Sequence, residues 1–333
     1  MNIATPRWWY RRGGGAGPAT LRALLTPLSW PWAWATARRL ARGAATDPGI
    51  PVICVGNLTL GGSGKTPVAQ ELARLAAGAG REGHILTRGH GGRLRGPLRV
   101  EPVSHRAAEV GDEALMMAQC ATVWVARDRA AGAKAAAHGG AEILIMDDGH
   151  QNPDVKKTLS LVVVDGETRE GEWPFGDGGV VPAGPMREPL KAGLARAGAV
   201  VVLLPADICA ADPRLLALLA GKPVLIARLE GAAPLPAGPQ VAFAAIGKPW
   251  KMERALRAAG CDLVGFAGLP DHAMPSEAAL ASLAARARAL GAGLITSEKD
   301  WVKLSPAWRA RVFSWPVRAR FEDEAAARRL IGP

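Results

Sequence analysis

The stretch that decides the fold is PVICVGNLTLGGSGKTPVAQELARLAA, residues 51–77. It begins with an apolar, β-rich run, continues through a glycine-rich loop to Lys65 and Thr66, and ends in an amphipathic run that predicts a helix. A strand, a glycine loop, a Lys-Thr pair and a helix in this order are typical of a phosphate-binding P-loop. The sequence therefore predicts a nucleotide site at this turn.

The residue types in this loop suit phosphate binding. Glycines let backbone N–H groups turn toward phosphate oxygens, and the helix N-terminus adds its partial positive charge. Lys65 would reach the outer phosphates, and the Thr66 hydroxyl would hold Mg²⁺. The predicted nucleotide contacts are Thr59, Leu60, Gly61, Gly62, Ser63, Gly64, Lys65 and Thr66.

One position departs from the generic P-loop pattern. The pattern has a glycine five residues before the Gly of Gly-Lys-Thr, and this chain has Thr59 there. An ordinary glycine-rich turn between a strand and a helix is the alternative interpretation. We favour a nucleotide site because Lys65 and Thr66 are in register and follow a predicted strand.

Length and composition set wider bounds. A chain of 333 residues is long enough for two domains, or for one large domain with an insertion. The formal charge of +11 is compatible with nucleic acid, an anionic membrane or a phosphorylated substrate as partner, but charge alone decides little. The four cysteines form no Cys-x-x-Cys pair, which indicates buried thiols in a reducing compartment rather than disulfides or a zinc site.

Residues 1–45 differ from the rest of the chain. Five of the eleven tryptophans fall here, interleaved with arginines: Trp8, Trp9, Trp30, Trp32 and Trp34. A membrane-spanning helix needs about 20 apolar residues, but the best candidate, residues 21–37, is interrupted by Arg22, Pro27 and Pro31. Tryptophan together with arginine favours a helix lying in the headgroup region of a membrane. An aromatic arm packed on its own domain is the alternative.

An acidic element lies downstream of the P-loop. Residues 141–149 form an apolar run that ends in Asp147 and Asp148, followed by a glycine. An apolar strand with acidic residues at its end is typical of the Walker B element, which holds Mg²⁺. A strand closed by a turn-forming Asp-Gly pair is the alternative, and the P-loop upstream favours the metal site.

Strands and helices alternate over residues 50–205, which predicts a doubly wound parallel sheet of the α/β class. The residue composition changes near residue 221, where a proline- and glycine-rich connection precedes a second, smaller α/β unit. We therefore expect an N-terminal membrane-associating segment at 1–45, a P-loop core domain at 46–220, a linker at 221–239 and a C-terminal domain at 240–333.

Seven segments, taken in order, carry a family resemblance: residues 55–67, 87–91, 110–113, 147–152, 182–189, 271–272 and 297–303. Together they resemble the tetraacyldisaccharide 4'-kinases, the lipid A 4'-kinases of Gram-negative bacteria. The resemblance covers essentially the whole chain, and the family shares the departure at Thr59. It implies a P-loop NTPase-like fold with a smaller α/β domain that closes over the active site.

The resemblance also implies an activity. It is the transfer of the ATP γ-phosphoryl group to the 4'-hydroxyl of tetraacyldisaccharide 1-phosphate, with ATP and Mg²⁺ as cofactors, to give the 1,4'-bisphosphate. The enzyme would sit at the cytoplasmic face of the bacterial inner membrane as a peripheral or monotopic protein. We expect the lipid substrate and the membrane surface as partners, with no nucleic acid and no obligate protein partner.

The resemblance assigns roles to residues of this chain. Asp112 and His272 would form the general base, with Lys65 as a third catalytic residue. The P-loop and Walker B patterns indicate metal binding by Thr66, Asp147 and Asp148. Our candidates for substrate binding are Glu113, Arg129, Gln151 and Arg187. From the residues alone, Asp112 or Glu113 is a helix-start carboxylate and His272 lies in a surface loop.

Four positions depart from the family pattern: His90, His150, Asn152 and Ala273. Asn152 is the one that we expect to alter substrate contacts most. Two other functions stay open at this point, namely a P-loop ATPase or GTPase that switches a partner protein, and a basic nucleic-acid-associated ATPase. The second lacks any recognition motif or basic helix in the sequence.

Overall fold

The computed structural model describes residues 6–12 and 15–332. Parts of the expected N-terminal segment, residues 1–5 and 13–14, therefore lie outside the described residues. The strands, in chain order, are β1 Val52–Gly56, β2 Gly83–Thr87, β3 Leu98–Arg99, β4 Thr122–Val125, β5 Ile143–Asp147, β6 Leu159–Asp165, β7 Ala199–Pro205, β8 Val224–Gly231, β9 Gln240–Ala244, β10 Leu263–Gly268, β11 Gly293–Ser297, β12 Val312–Trp315 and β13 Val317–Phe321.

Two sheets organise the described part of the chain. The larger has nine strands in the order β13-β8-β7-β6-β1-β5-β2-β4-β3, and it is parallel except at its edges, where β13 and β3 run antiparallel to their neighbours. The smaller has four parallel strands in the order β10-β9-β11-β12. The predicted α/β class, with a doubly wound parallel sheet and a smaller α/β unit, is confirmed.

The helices, in chain order, are α1 Ala16–Arg42, α2 Lys65–Gly78, α3 Ala107–Val110, α4 Asp112–Met117, α5 Arg129–His138, α6 Leu190–Ala195, α7 Pro213–Leu219, α8 Pro249–Ala258, α9 Glu277–Ala289, α10 Glu298–Trp301, α11 Pro306–Arg309 and α12 Glu324–Leu330. Short 3₁₀ helices lie at Arg7–Tyr10 and Arg169–Gly171.

The central strand β1 is buried along its whole length, because helices cover both faces of the sheet. Its residues alternate between two cores. Ile53 and Val55 pack in the core that includes α2, whereas Val52 and Cys54 pack in the core that includes α5. An uninterrupted apolar run is the sequence that such a strand requires.

Two expected domain boundaries differ from the structure. The expected linker 221–239 contains the sheet strand β8, and β13, from the expected C-terminal domain, pairs with β8 in the large sheet. Ala319 and Phe321 of β13 pack with Ala227 in the core of the first domain, which explains why the chain returns there. The small sheet is thus an insertion between β8 and β13.

Helix α1 is continuous through Pro27 and Pro31. One face is held to the first domain, where the Ser29 hydroxyl donates to the Val180 carbonyl at 2.6 Å and the indole of Trp32 donates to the Arg187 carbonyl at 3.1 Å. No helix among the described residues is long and apolar enough to cross a membrane.

Candidate active site

The P-loop connects β1 to α2. Gly64 precedes the helix with φ 81°, a left-handed conformation that favours glycine, and a Cβ there would lie 2.1 Å from Leu203. Asn57 donates from Nδ2 to Ser63 Oγ at 2.9 Å, which closes the loop internally. The loop thus leads directly into the N-terminus of α2, which begins at Lys65, and a helix N-terminus favours phosphate binding.

A second segment braces this loop from outside. The Leu60 amide donates to the Pro185 carbonyl and the Arg187 amide donates to the Leu58 carbonyl, both at 2.8 Å. The Arg187 side chain adds a bond from Nε to the Thr59 carbonyl at 3.0 Å. The proline-punctuated segment predicted to carry a substrate-binding arginine therefore fixes the P-loop backbone.

Asp147 and Asp148 lie at the end of β5 in different electrostatic settings. Burial, followed by the negative charge of Glu113, raises the pKa of Asp147 to about 7. For Asp148, burial is outweighed by Lys65 and Arg187, which hold its pKa well below its usual range. Arg187 lies 2.8 Å and Lys65 3.6 Å from Asp148 Oδ1.

The Asp147 carboxylate suits a metal ion. Its Oδ1 atom is buried without a hydrogen-bond partner in the described part of the molecule, and a buried carboxylate oxygen is costly unless a cation or donor meets it. Within residues 6–12 and 15–332, no group of three or more His, Cys, Asp or Glu could hold a metal. Magnesium commonly uses one or two carboxylates together with substrate phosphates, so the predicted set of Thr66, Asp147 and Asp148 fits a nucleotide-dependent ion.

The predicted general base, Asp112 together with His272, is assembled from two domains. Asp112 begins α4, His272 lies in the loop after β10, and His272 Nδ1 is 3.0 Å from Oδ2 and 3.2 Å from Oδ1 of Asp112. Asp112 is buried. Burial raises its pKa, but the bond from His272 and the charge of Lys299 outweigh this and lower it overall. The same bond raises the pKa of His272.

Lysines of the 297–303 motif complete this cluster. Lys299 Nζ lies 3.2 Å from His272 Nε2, 3.1 Å from the Glu113 carboxylate and 3.7 Å from Asp271. The sequence places these lysines in a family motif but indicates no role for them. The only sequence signal that Lys299 belongs to the site was the motif's place in the family pattern, because α10 is distant in sequence from Glu113.

Arg129, which was predicted to bind substrate, lies beneath the ends of two strands of the large sheet. Its side chain is buried and donates to the backbone carbonyls of Leu86 at 3.1 Å and Asp147 at 3.0 Å. Arg129 therefore joins the ends of β2 and β5.

Gln151 also has a structural position. It is buried and donates to the Asn57 carbonyl at 2.9 Å and to Glu188 at 3.0 Å. Glu188 is in turn held by Arg196 at 2.6 Å. The contacts of Gln151 thus support the start of the P-loop at Asn57.

The comparisons with known proteins identify the family. The model of the LpxK family, tetraacyldisaccharide-1-P 4'-kinase, matches residues 21–332. The chain belongs to this family. A tetraacyldisaccharide 4'-kinase of Phenylobacterium zucineum is 65% identical over 332 residues, covering 100% of this chain and 99% of that protein. A tetraacyldisaccharide 4'-kinase of Maricaulis maris is 49% identical, covering 98% of this chain and 95% of that protein.

A solved structure agrees with this assignment. The crystal structure of LpxK from Aquifex aeolicus, described as an "apo" form in complex with ATP, matches with a TM-score of 0.72 and 25% identity. The match covers 93% of this chain and 98% of that chain. The resemblance found in the sequence is thereby confirmed.

Two of the positions where this chain departs from the family pattern are His150 and Asn152. The His150 ring is buried, with Nδ1 2.8 Å from Ser160 Oγ and Nε2 3.0 Å from the Gly193 carbonyl, and burial lowers its pKa to about 4. His150 is therefore a core residue. Asn152 bonds Asp154 at 2.7 Å.

The two domains meet at further points beside the nucleotide loop. Lys248 and Lys251 of the second domain lie 2.9 Å and 2.5 Å from Asp165 at the end of β6. A Cβ on Gly247 would lie 3.1 Å from the Gly62 amide nitrogen and 3.3 Å from Asp271. The P-loop, the loop before α8 and the His272 loop therefore converge on one site.

Proposed function

We propose that this protein transfers the γ-phosphoryl group of ATP to the 4'-hydroxyl of tetraacyldisaccharide 1-phosphate, giving the 1,4'-bisphosphate. The observation that carries the proposal is the Asp112–His272 pair, which two domains assemble beside the P-loop. Membership of the tetraacyldisaccharide-1-P 4'-kinase family supports the choice of acceptor.

Phosphoryl transfer depends on positioned charge more than on covalent chemistry. Lys65 and the P-loop amides bind and orient the phosphates. As the sugar oxygen bonds to the γ-phosphorus, the bond from phosphorus to the β–γ bridging oxygen breaks and ADP leaves. The hydroxyl proton passes to the carboxylate of Asp112, whose orientation His272 fixes.

Asp147 and Asp148 have different roles in this proposal. Arg187 and Lys65 already neutralise Asp148, whereas Asp147 presents a buried oxygen without a donor among the described residues. We therefore propose that Asp147 would hold a magnesium ion directly, together with the Thr66 hydroxyl. When bound, the ion would supply positive charge next to the phosphate groups.

We also propose that α1 lies at the surface of the inner membrane, on its cytoplasmic face. The helix exposes large apolar side chains, with Leu24 71%, Leu28 60% and Trp30 69% accessible. Its C-terminal turns carry arginines such as Arg39 and Arg42. Tryptophan and leucine suit the bilayer interface and arginine suits anionic headgroups, which would bring the site to a lipid acceptor.

Incubation with γ-labelled ATP and the disaccharide 1-phosphate tests the function. We expect a labelled lipid with wild type and none with Lys65→Ala. A P-loop switch protein would instead release labelled phosphate in response to a protein partner, and a nucleic-acid-associated ATPase would respond to DNA or RNA. Either result without labelled lipid would overturn the proposal.

A further inference from the structure

The imidazole of His272 is held at both nitrogen atoms. Nδ1 faces Asp112 at 3.0 Å, and Nε2 faces the Lys299 ammonium at 3.2 Å. An ammonium group has donors only, so Nε2 must accept and the ring proton must lie on Nδ1. Both contacts together select one neutral tautomer, in which His272 donates to Asp112.

The Lys299 ammonium is itself fixed. It lies 3.1 Å from Glu113 and 3.7 Å from Asp271. Burial lowers its pKa, but the carboxylates of Glu113 and Asp112 outweigh this and raise its pKa above the usual value. Lys299 is therefore a stable donor next to Nε2.

The loop that carries His272 is held by the same motif. His272 has φ 57°, a left-handed conformation that is strained for a non-glycine residue. Lys303 donates to the Ala273 carbonyl at 2.9 Å and lies 2.5 Å from Asp300. Asp300 accepts from the Ala245 amide at 2.9 Å, so α10 ties this loop to the end of β9.

We propose that Lys299 is a positioning residue that keeps the His272 imidazole neutral and in its Nδ1–H tautomer, so that Asp112 remains the proton acceptor. This inference rests on the proposed function. An imidazolium would have to release Lys299, because two donors cannot share a hydrogen bond. It would turn its new N–H toward Asp271, 3.9 Å from Nε2.

Several charged or titratable groups surround the ring. These are Asp112 on α4, Lys299 and Lys303 from α10 and its C-terminal end, Asp271 in the same loop, Glu113 through Lys299, and His90, whose ring centroid is 5.1 Å away. The bond to Asp112 raises the pKa of His272, and burial and the charge of Lys299 oppose that rise. Removal of Lys299 must therefore raise the pKa further.

The test uses Lys299→Met, Lys299→Arg and, as a matched control, Lys134→Met on the exposed surface of α5. Histidine ¹⁵N spectra report the tautomer and pKa of His272, and His272→Gln assigns its signals. The pH profile of kcat reports the same equilibrium during lipid phosphorylation. We expect the acidic limb of Lys299→Met to move up by roughly one pH unit, with KM for ATP unchanged.

Lys299→Arg should retain the wild-type tautomer and most of kcat, because a guanidinium also donates to Nε2. Lys134→Met should match wild type throughout. An Nε2–H tautomer in wild type, or a Lys299→Met profile and His272 pKa equal to wild type, would overturn the inference. The spectra decide this even if wild type transfers no phosphoryl group, a result that would count against the proposed function alone.

Discussion

Nδ1 of His272 lies 3.0 Å from Oδ2 of Asp112, although the two residues are 160 positions apart and belong to different domains. Each domain alone holds only one half of the pair. The base is therefore formed only when the two domains are together, and the contacts around Asp165 and Gly62 show where else they meet.

Replacing Arg187 with Lys should weaken nucleotide binding. The lysine keeps the charge but cannot bond both the Thr59 carbonyl and the Asp148 carboxylate. Loss of one charge-assisted bond corresponds to a rise in KM for ATP of about tenfold or more. Steady-state kinetics measure this, and Arg93→Lys, an exposed arginine paired with Glu109, is the control. An unchanged KM would contradict the bracing role.

Gly64→Ala should destabilise the protein by about 1–3 kcal/mol, because an alanine would be strained at φ 81° and its Cβ would collide with Leu203. Urea denaturation gives the free energy of unfolding. Gly62→Ala is the matched control, since nothing lies within 4 Å of the added Cβ. Equal stabilities of the two variants would show that the loop relaxes freely.

The Asp165 contact should make stability depend on pH. Burial raises the pKa of Asp165, but Lys248 and Lys251 outweigh it and hold the pKa well below its usual value. The stabilisation is therefore present above the unfolded-state pKa of Asp and is lost as pH falls through the lower folded-state value.

Asp165→Asn should thus reduce the free energy of unfolding at pH 7 by about 3 kcal/mol, and the difference from wild type should shrink in strong acid. Urea titrations across the acidic range measure the difference. Asp47→Asn serves as the comparison, because its ion pair with Lys156 is exposed. A difference that grows on acidification would have the wrong sign for this account.

Replacing Leu24, Leu28 and Trp30 together with serine should reduce binding to vesicles that contain anionic lipid. These side chains are largely exposed, so folding should be preserved. Co-sedimentation measures binding. Val103, Leu218 and Leu290, also exposed but on other segments, replaced with serine provide the control. Undiminished binding of the first variant would argue against α1 as the membrane contact.

The fold core and the nucleotide loop could be predicted because local patterns specify them. The apolar run of β1, the Gly64–Lys65 turn and the acidic end of β5 each combine a strand signal with a chemical one. The return of β13 could not be predicted, since alternation in residues 317–321 indicates a strand but does not identify its neighbour.

The roles of individual polar residues were harder to predict from the sequence than the fold. Arg129 and Gln151 were expected to contact substrate, but both lie buried against backbone carbonyls. A sequence shows that such a residue is polar, and only the fold shows whether its donors face solvent or the sheet. The role of Lys299 was missed because its partners Glu113 and His272 are distant in sequence, and Glu113 also belongs to the other domain.

The most direct test of the central claim is single-turnover transfer from γ-labelled ATP to the disaccharide 1-phosphate by wild type and Asp112→Asn. Asparagine keeps the shape of the side chain but accepts no proton, so we expect the rate to fall about 10²–10⁴-fold while ATP affinity is unchanged. Asp47→Asn should transfer at the wild-type rate. Transfer by Asp112→Asn within about tenfold of wild type would contradict a base built from Asp112 and His272.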